Sequence, residues 1–387
     1  MLQNLFSLLP FLVSLFWLTI FLVEFGRLDP AKKLLTGFMV LCTILYFCHA
    51  VYYHQHIHLY SLVESIYTFC TLAVYPLYYL YIRRLTSEKP LVFHDYWVLL
   101  PALIISLVSV LLYSLMSESE RLTFVERFFF NQDTSVVGSS LIIRGQIIRI
   151  HIAKFLFIAQ LLPVSYFGYR LLLNFSKQVN NYYSDTQKKT LSSTRMMLSL
   201  FILFAFFSAI ANQLGRNFFL QESWLIVIPS IIFSSMIFAV CYVGLKQNFT
   251  AEDFHLETRT AQKVETENPY SNTEILIDKI RVLMEEDQLF RKMDLQISDV
   301  ALRVGSNRTY VSNYLNRELN LSFSDYINKY RIDYAKSLMS IKNNPLTILE
   351  VSEQSGFANE VSFYRNFKKF TGTSPKKWHK QLLTSIQ

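Results

Sequence analysis

The chain has 387 residues, room for two or three domains, and is 52% hydrophobic and 16% aromatic but only 17% charged. That balance excludes an ordinary soluble protein of this size. The net charge of +8 points to an anionic partner, nucleic acid or a membrane face. Cys42, Cys48, Cys70 and Cys241 all fall inside apolar runs, which reads as packing and not as a disulfide or zinc framework.

Seven apolar stretches are long enough to cross a bilayer, which takes about 20 residues each. They run near Phe6–Phe25, Leu34–Tyr53, Ser61–Ile82, Tyr96–Met116, Ile150–Leu173, Met196–Gly215 and Leu225–Leu245. No Lys or Arg precedes the first and no small-residue cleavage site follows it, so it is not read as a signal peptide. The basic residues cluster in alternate connections: Arg27, Lys32 and Lys33, then Arg83, Arg84 and Lys89, then Lys177, Lys188, Lys189 and Arg195. The second connection, His54–Tyr60, has no Lys or Arg, and the sixth has only Arg216. The fourth balances Arg121, Arg127, Arg144 and Arg149 against Glu118, Glu120, Glu126 and Asp133, as a small external loop would. The positive-inside rule then puts the amino terminus outside and everything after Leu245 in the cytoplasm. The expectation is a multi-pass protein of the cell inner (cytoplasmic) membrane.

Under that orientation His49, Glu64, His151, Lys154, Asn212 and Gln213, from four spans, fall near the outer ends of their helices. Ionisable residues inside a bundle are expensive and invite a functional reading. Glu64, His151, Lys154 and Asn212 are therefore candidates for a pocket that takes a small ligand or ion; the plainer alternative is that Glu64 and Lys154 simply pair. His54, His56 and His58 lack a fourth ligand, so no metal site is assigned, and no cofactor is expected.

The sequence divides into a bundle over 1–245, a polar, flexible cytoplasmic linker without helical period over 246–270, and a compact domain over 271–387. In the last, Ser271 and Glu274 could cap a helix with Ile275, Leu276, Ile280 and Leu283 inside. From Leu295 onward there are 13 Lys or Arg against 7 Asp or Glu, so most of the net charge sits there.

An internal repeat explains this last quarter. Ile297, Asp299, Val300 and Gly305 recur 51 residues later as Ile348, Glu350, Val351 and Gly356. At an offset of 52, Asn307, Val311 and Leu315 match Asn359, Phe363 and Phe367. Each copy reads as a helix-turn-helix, at about 295–320 and 346–372. In the second, Thr347 and Glu350 have capping-box spacing, Asn359 caps the next helix, and Gly372 with Pro375 ends it. Phe363, Phe367 and Phe370 should face inward, with Glu360, Ser362, Arg365, Asn366, Lys368 and Lys369 on the opposite side. Phe323–Ser340, capped by Ser322, reads as a joining helix with Ile327, Tyr330, Tyr334 and Leu338 on its apolar face. Two recognition helices held this way could enter successive major-groove turns about 34 Å apart.

Leu295–Trp378 resembles the AraC/XylS family of bacterial transcription regulators, in its membrane-embedded form. The resemblance rests on Gly356-Phe357 followed by Phe363, Arg365, Phe367, Lys368, Lys369, Gly372, Ser374 and Pro375, and on Tyr326, Ile327, Asn328, Arg331, Ala335 and Lys336. It implies a seven-helix DNA-binding domain whose outward positions are Arg308, Thr309, Ser312 and Asn313 in the first unit. In the second they are Glu360, Val361, Ser362, Tyr364 and Arg365. Arg365 is the main candidate for reading bases, with Lys368, Lys369, Lys376 and Lys377 on phosphate. Arg331 could instead tie the two units together. Three departures stand out: Gln296 replaces a capping Thr, Ser306 an aromatic, and Asn320 a glycine.

The expected architecture is all-α, a seven-helix membrane bundle followed by a tandem helix-turn-helix domain. The expected function is non-enzymatic: a membrane-bound, sequence-specific regulator that couples a signal at the membrane to promoter binding. Its partners would be double-stranded DNA, membrane lipid, a small ligand or a membrane partner, and a second copy if it dimerises. The alternatives are a bundle that only anchors or docks a DNA-binding module, and a membrane enzyme or transporter with such a module attached.

Overall fold

The computed structural model describes residues 2–131, 140–186, 192–220, 224–247, 249–262, 273–341 and 346–386. Asp133, Lys188, Lys189 and the capping Ser271 lie outside them. Among the described residues the chain is helical, without a named strand. Two compact units form, one from residues 1–172 with 193–251 and the other from 173–192 with 252–387.

The first unit is a bundle of α1 (Leu2–Val23), α2 (Pro30–Tyr53), α3 (Ile57–Thr86), α4 (Leu100–Ser114), a short α5 (Glu118–Phe124), most of α6 (Leu141–Tyr182), α7 (Ser192–Leu214) and α8 (Val227–Lys246). All seven expected spans are helices, and six are long and apolar enough to cross a membrane. The seventh, α7, has 23 residues and a shorter apolar stretch, Ile202–Leu214. Large apolar side chains point outward from the bundle, among them Phe16, Leu107, Phe155, Leu162 and Phe206. An apolar exterior of this extent suits a lipid environment and not water.

Asp29 caps α2 through a 2.9 Å bond from the Lys32 amide, with Pro30 at the first helical position. The described part of the fourth connection is helical, not a simple loop. Ser117 and Glu120 cap α5 reciprocally, and Phe124 and Val125 bury against Tyr52, Tyr60, Tyr113 and Ile147. Arg149, counted from sequence with that connection, lies instead within α6 and is 3% exposed.

The second unit holds α9 (Ala251–Gln262) and seven helices of the carboxy-terminal domain: α10 (Thr273–Glu285), α11 (Ile297–Val304), α12 (Arg308–Asn313), α13 (Phe323–Met339), α14 (Ile348–Gln354), α15 (Glu360–Thr371) and α16 (Pro375–Ile386). The presence of α9 corrects the sequence expectation of a stretch without helix. Its buried face, Phe254 and Thr258, follows a four-residue spacing too short to stand out, and Phe254 packs on Phe175, Tyr182 and Tyr183. In α10 the inside positions are Leu276, Ile280 and Met284, while Ile275 is exposed.

The repeat is physical. Asn307 accepts from the Tyr310 amide at 3.1 Å, and Asn359 from the Ser362 amide at 2.9 Å. Gly305 and Gly356 both have positive φ, +69° and +86°. At Gly356 a Cβ would meet the Arg291 backbone at 2.7 Å, so this position needs glycine for two reasons. Asn320, at φ +51°, takes the left-handed turn as expected of Asn. Gln296 makes no side-chain cap, but Asp299 still accepts from its amide at 2.9 Å, so half of a capping box remains. Ser306 is buried where the second unit has Phe357.

The joining helix α13 is buried on more than one side. Ile332, Ala335 and Met339 pack with Val351, Phe357, Phe363 and Phe367, while Tyr330 and Tyr334 meet Phe290. The single stripe read from sequence found only part of this, because a helix clasped between two units has two inner faces.

Candidate functional site

The second helices of the two units are α12 and α15. On α15, Glu360, Val361, Arg365, Lys368 and Lys369 are exposed, whereas Phe363 and Phe367 are fully buried and Phe370 is half-buried. Ser362, expected outside, is 3% exposed. It sits one turn before Asn366, whose side-chain amide donates to the Ser362 carbonyl at 2.9 Å; Asn366 is buried too. Both therefore leave the outer face, because the apolar stripe of α15 is wider than the three phenylalanines alone. Tyr364 is half-buried and packs on Phe363. Lys369 is exposed but pairs with Asp325 of α13, so it braces the helix and does not stand free for phosphate.

On α12, Thr309 and Asn313 are exposed. Ser312 is half-buried and its hydroxyl accepts from the Asn316 amide at 2.9 Å. Arg308 is half-buried, its guanidinium 5.9 Å from the Tyr182 ring. Tyr310 and Arg317 are exposed on this helix and its continuation and add to its outer face.

Arg331 has no exposure at all. Its guanidinium donates to the carbonyls of Phe290 (2.7 Å), Lys292 (2.7 Å) and Met293 (3.2 Å), to Asn328 Oδ1 (3.4 Å) and to Ser184 Oγ (3.2 Å). Burial pushes its pKa down to about 10, against the pull of Asp185 and Asp294, so it stays charged at neutral pH. Ser184 lies just past α6. Its amide donates to the Leu295 carbonyl at 3.0 Å, and its carbonyl accepts from Ser324 (3.0 Å) and Asn328 (3.2 Å). Beside it, Tyr183 bridges to Gln296, and its hydroxyl donates to Glu257 of α9. Residues 182–184 thus form a latch on the first helix-turn-helix unit. Sequence reasoning missed the latch: its residues are ordinary polar ones whose role depends on distant acceptors.

Within the bundle, His49, Glu64, His151, Lys154, Asn212 and Gln213 all line one cavity of about 400 Å³. The plainer alternative, a Glu64–Lys154 pair, does not form. Glu64 instead accepts at both oxygens from one nitrogen, Arg149 Nη2 (3.0 and 3.1 Å), and also accepts from Thr68 and Ser109, both at 3.1 Å. Gln146 steadies Arg149 at 2.8 Å. Arg149 Nη1 donates to Thr68 at 2.9 Å, so each guanidinium nitrogen has an acceptor, as a single ammonium could not arrange, and both members of the ion pair are almost fully buried. His54 meets Ser7 and His58 meets Glu118, so these histidines turn to separate partners. Among the described residues no three His, Cys, Asp or Glu are placed to hold a metal.

These paired units, each an opening helix, a tight turn and a partly exposed second helix, define a tandem helix-turn-helix DNA-binding domain. Residues 300–381 match the family described as "Helix-turn-helix domain". The carboxy-terminal segment is an AraC-type helix-turn-helix domain. The chain is 31% identical over 110 residues to an uncharacterized HTH-type transcriptional regulator of Staphylococcus aureus, covering 28% of this chain and 14% of that protein. It is 26% identical over 116 residues to the Msm operon regulatory protein of Streptococcus mutans, covering 30% and 40%. With the HTH-type transcriptional regulator YtdP of Bacillus subtilis it shares 30% over 88 residues, 23% and 11% of the two chains. The chain thus spans less than half the length of each of these relatives. No solved structure matches.

Proposed function

We propose that the chain is a transcription regulator held in the cytoplasmic membrane, whose bundle senses a ligand and alters how the tandem domain meets its promoter. The observation that carries this reading is the make-up of α6. One helix contributes Arg149, His151, Lys154 and Phe157 to the cavity, and the chain leaving its end supplies Ser184 to the latch. A shift of α6 on ligand binding therefore has a covalent route to the first helix-turn-helix unit. The basic connections support a cytoplasmic position for everything after Leu245. Arg365, Thr309 and Asn313 would read bases, with Glu360 beside them, and Lys368, Lys376 and Lys377 would hold phosphate.

The test is replacement of residues 1–140 and 193–245 by an unrelated anchor, followed by mapping of genomic occupancy and target expression. Retained occupancy with loss of the signal response is expected. An unchanged response would mean that the bundle only tethers the domain. A reporter active only outside the membrane, fused after Leu245, should stay silent.

A further inference from the structure

The cavity contains a group that sequence reasoning left in a loop. Gly215 ends α7 in a left-handed turn at φ +78°, and Arg216 then lines the cavity. Its guanidinium lies 4.0 Å from the Tyr52 ring centroid, 4.6 Å from Tyr67 and 4.9 Å from Tyr60. Ring faces stabilise a guanidinium's charge but accept its N–H groups only weakly. One of these, on Nη2, donates to the Tyr60 hydroxyl. Nη1 is buried and has no partner among the described residues. A buried charged donor without an acceptor is expensive and calls for an occupant.

The charge balance points the same way. Glu64 is the one carboxylate among the cavity-lining residues, and both its oxygens are committed to Arg149, Thr68 and Ser109. Lys154 lines the same cavity and pairs with no carboxylate among the described residues. Two cationic groups thus face the cavity without counter-charge. Much of the remaining wall is aromatic or apolar, including Tyr46, Tyr75, Phe157, Phe204 and Phe233. The volume suits a small organic molecule.

We propose that this cavity binds an organic carboxylate with an apolar body. Its carboxylate accepts from the Lys154 ammonium and, after a small turn of the guanidinium that brings the buried Nη1 to the cavity, from Arg216, and its body packs on the Phe157, Phe204 and Phe233 wall. One guanidinium edge and one ammonium suit the two oxygens of a monoanion better than the three of a phosphate. The inference rests on the ligand-sensing reading above and gives its ligand a chemical class. Such an acid could come from the lipid, as a fatty acid, or from water, as an arylalkanoate.

The experiment uses the full chain in lipid nanodiscs, with decanoate and 3-phenylpropanoate as probes and decanol and 3-phenylpropanol as uncharged counterparts. Affinity is read by calorimetry and by the shift in Tm. One acid should bind at least about tenfold more tightly than its alcohol, and which acid does so identifies the source. R216Q should weaken acid binding by about tenfold or more, and K154Q by less. Equal binding of acid and alcohol, binding of neither acid, or unchanged acid binding in both variants would overturn the proposal. If R216Q does not fold, the acid–alcohol comparison on the parent and the K154Q titration still decide. Acid binding without any change in promoter occupancy would overturn the sensing reading and leave the site. Occupancy that responds to another signal, with no acid bound, would overturn the site alone.

Discussion

Arg331 Nη2 and Ser184 Oγ lie 3.2 Å apart although 147 residues separate them in the chain. The bond joins the segment after α6 to the middle of the joining helix α13. It makes Arg331 a structural centre and not a DNA contact.

Removing that centre should be costly. Arg331→Ala leaves the carbonyls of Phe290 and Lys292 buried without their donor. The expected loss is about 3 kcal/mol of domain stability. Arg331→Lys keeps the charge but cannot span five acceptors, and should also lower Tm, as thermal unfolding of the full chain would show.

Loosening the latch should alter regulation more than fold. Ser184→Pro removes the amide that donates to Leu295 at 3.0 Å. We expect promoter occupancy to stop responding to the inducing signal, while affinity for an operator duplex stays within about threefold of the parent. Occupancy mapping with and without the signal, beside a duplex titration, checks both halves.

Arg365 is exposed on α15 with no shared burial to complicate its removal. Arg365→Ala should weaken binding to the cognate duplex by about 1–3 kcal/mol and to a scrambled one much less. Equal losses on the two duplexes would reduce it to a phosphate contact.

Two glycines with similar φ should respond differently. Gly356→Ala puts a methyl group 2.7 Å from the Arg291 backbone at φ +86°, and should cost about 2 kcal/mol or more. Gly372→Ala, at φ +77° with open space around it, should cost only about 1 kcal/mol. Their Tm values should rank in that order.

The second unit's opening cap sets a pH dependence. The Thr347 amide and hydroxyl hold the Glu350 pKa below the usual carboxylate value. A carboxylate with a lowered folded pKa stabilises the fold fully above its unfolded pKa. That contribution disappears as pH falls through the folded value. Thr347→Ala should lower stability near neutrality and flatten the acid limb of a stability–pH curve, the gap to the parent narrowing as pH falls.

Much of the carboxy-terminal domain was legible because its signals are local. Asn307, Asn359 and Ser322 cap helices three residues ahead, and Gly305 and Gly356 mark turns that only their own backbone dictates. The spans were legible from apolar length. What escaped were choices of partner. Glu64 pairs with Arg149 and not Lys154, and the span read from Ile150 left Arg149 in a loop because α6 begins at Leu141, nine residues before its apolar run. Ser362 and Asn366 turned inward because α15 buries more than its aromatic stripe. Arg216 left one trace, as a lone Arg in a connection otherwise free of bases.

The second compact unit gathers residues 173–192 together with 252–387, so one domain is assembled from two distant pieces of chain. A protease cutting between α8 and α10 would release the helix-turn-helix pair but strand Ser184 and Tyr183 on the membrane side of the cut. The liberated piece would carry Arg331 with one acceptor missing and Gln296 without its bridge. Severing would therefore yield a weakened domain: the helix-turn-helix pair keeps its full set of partners only while the chain is in one piece.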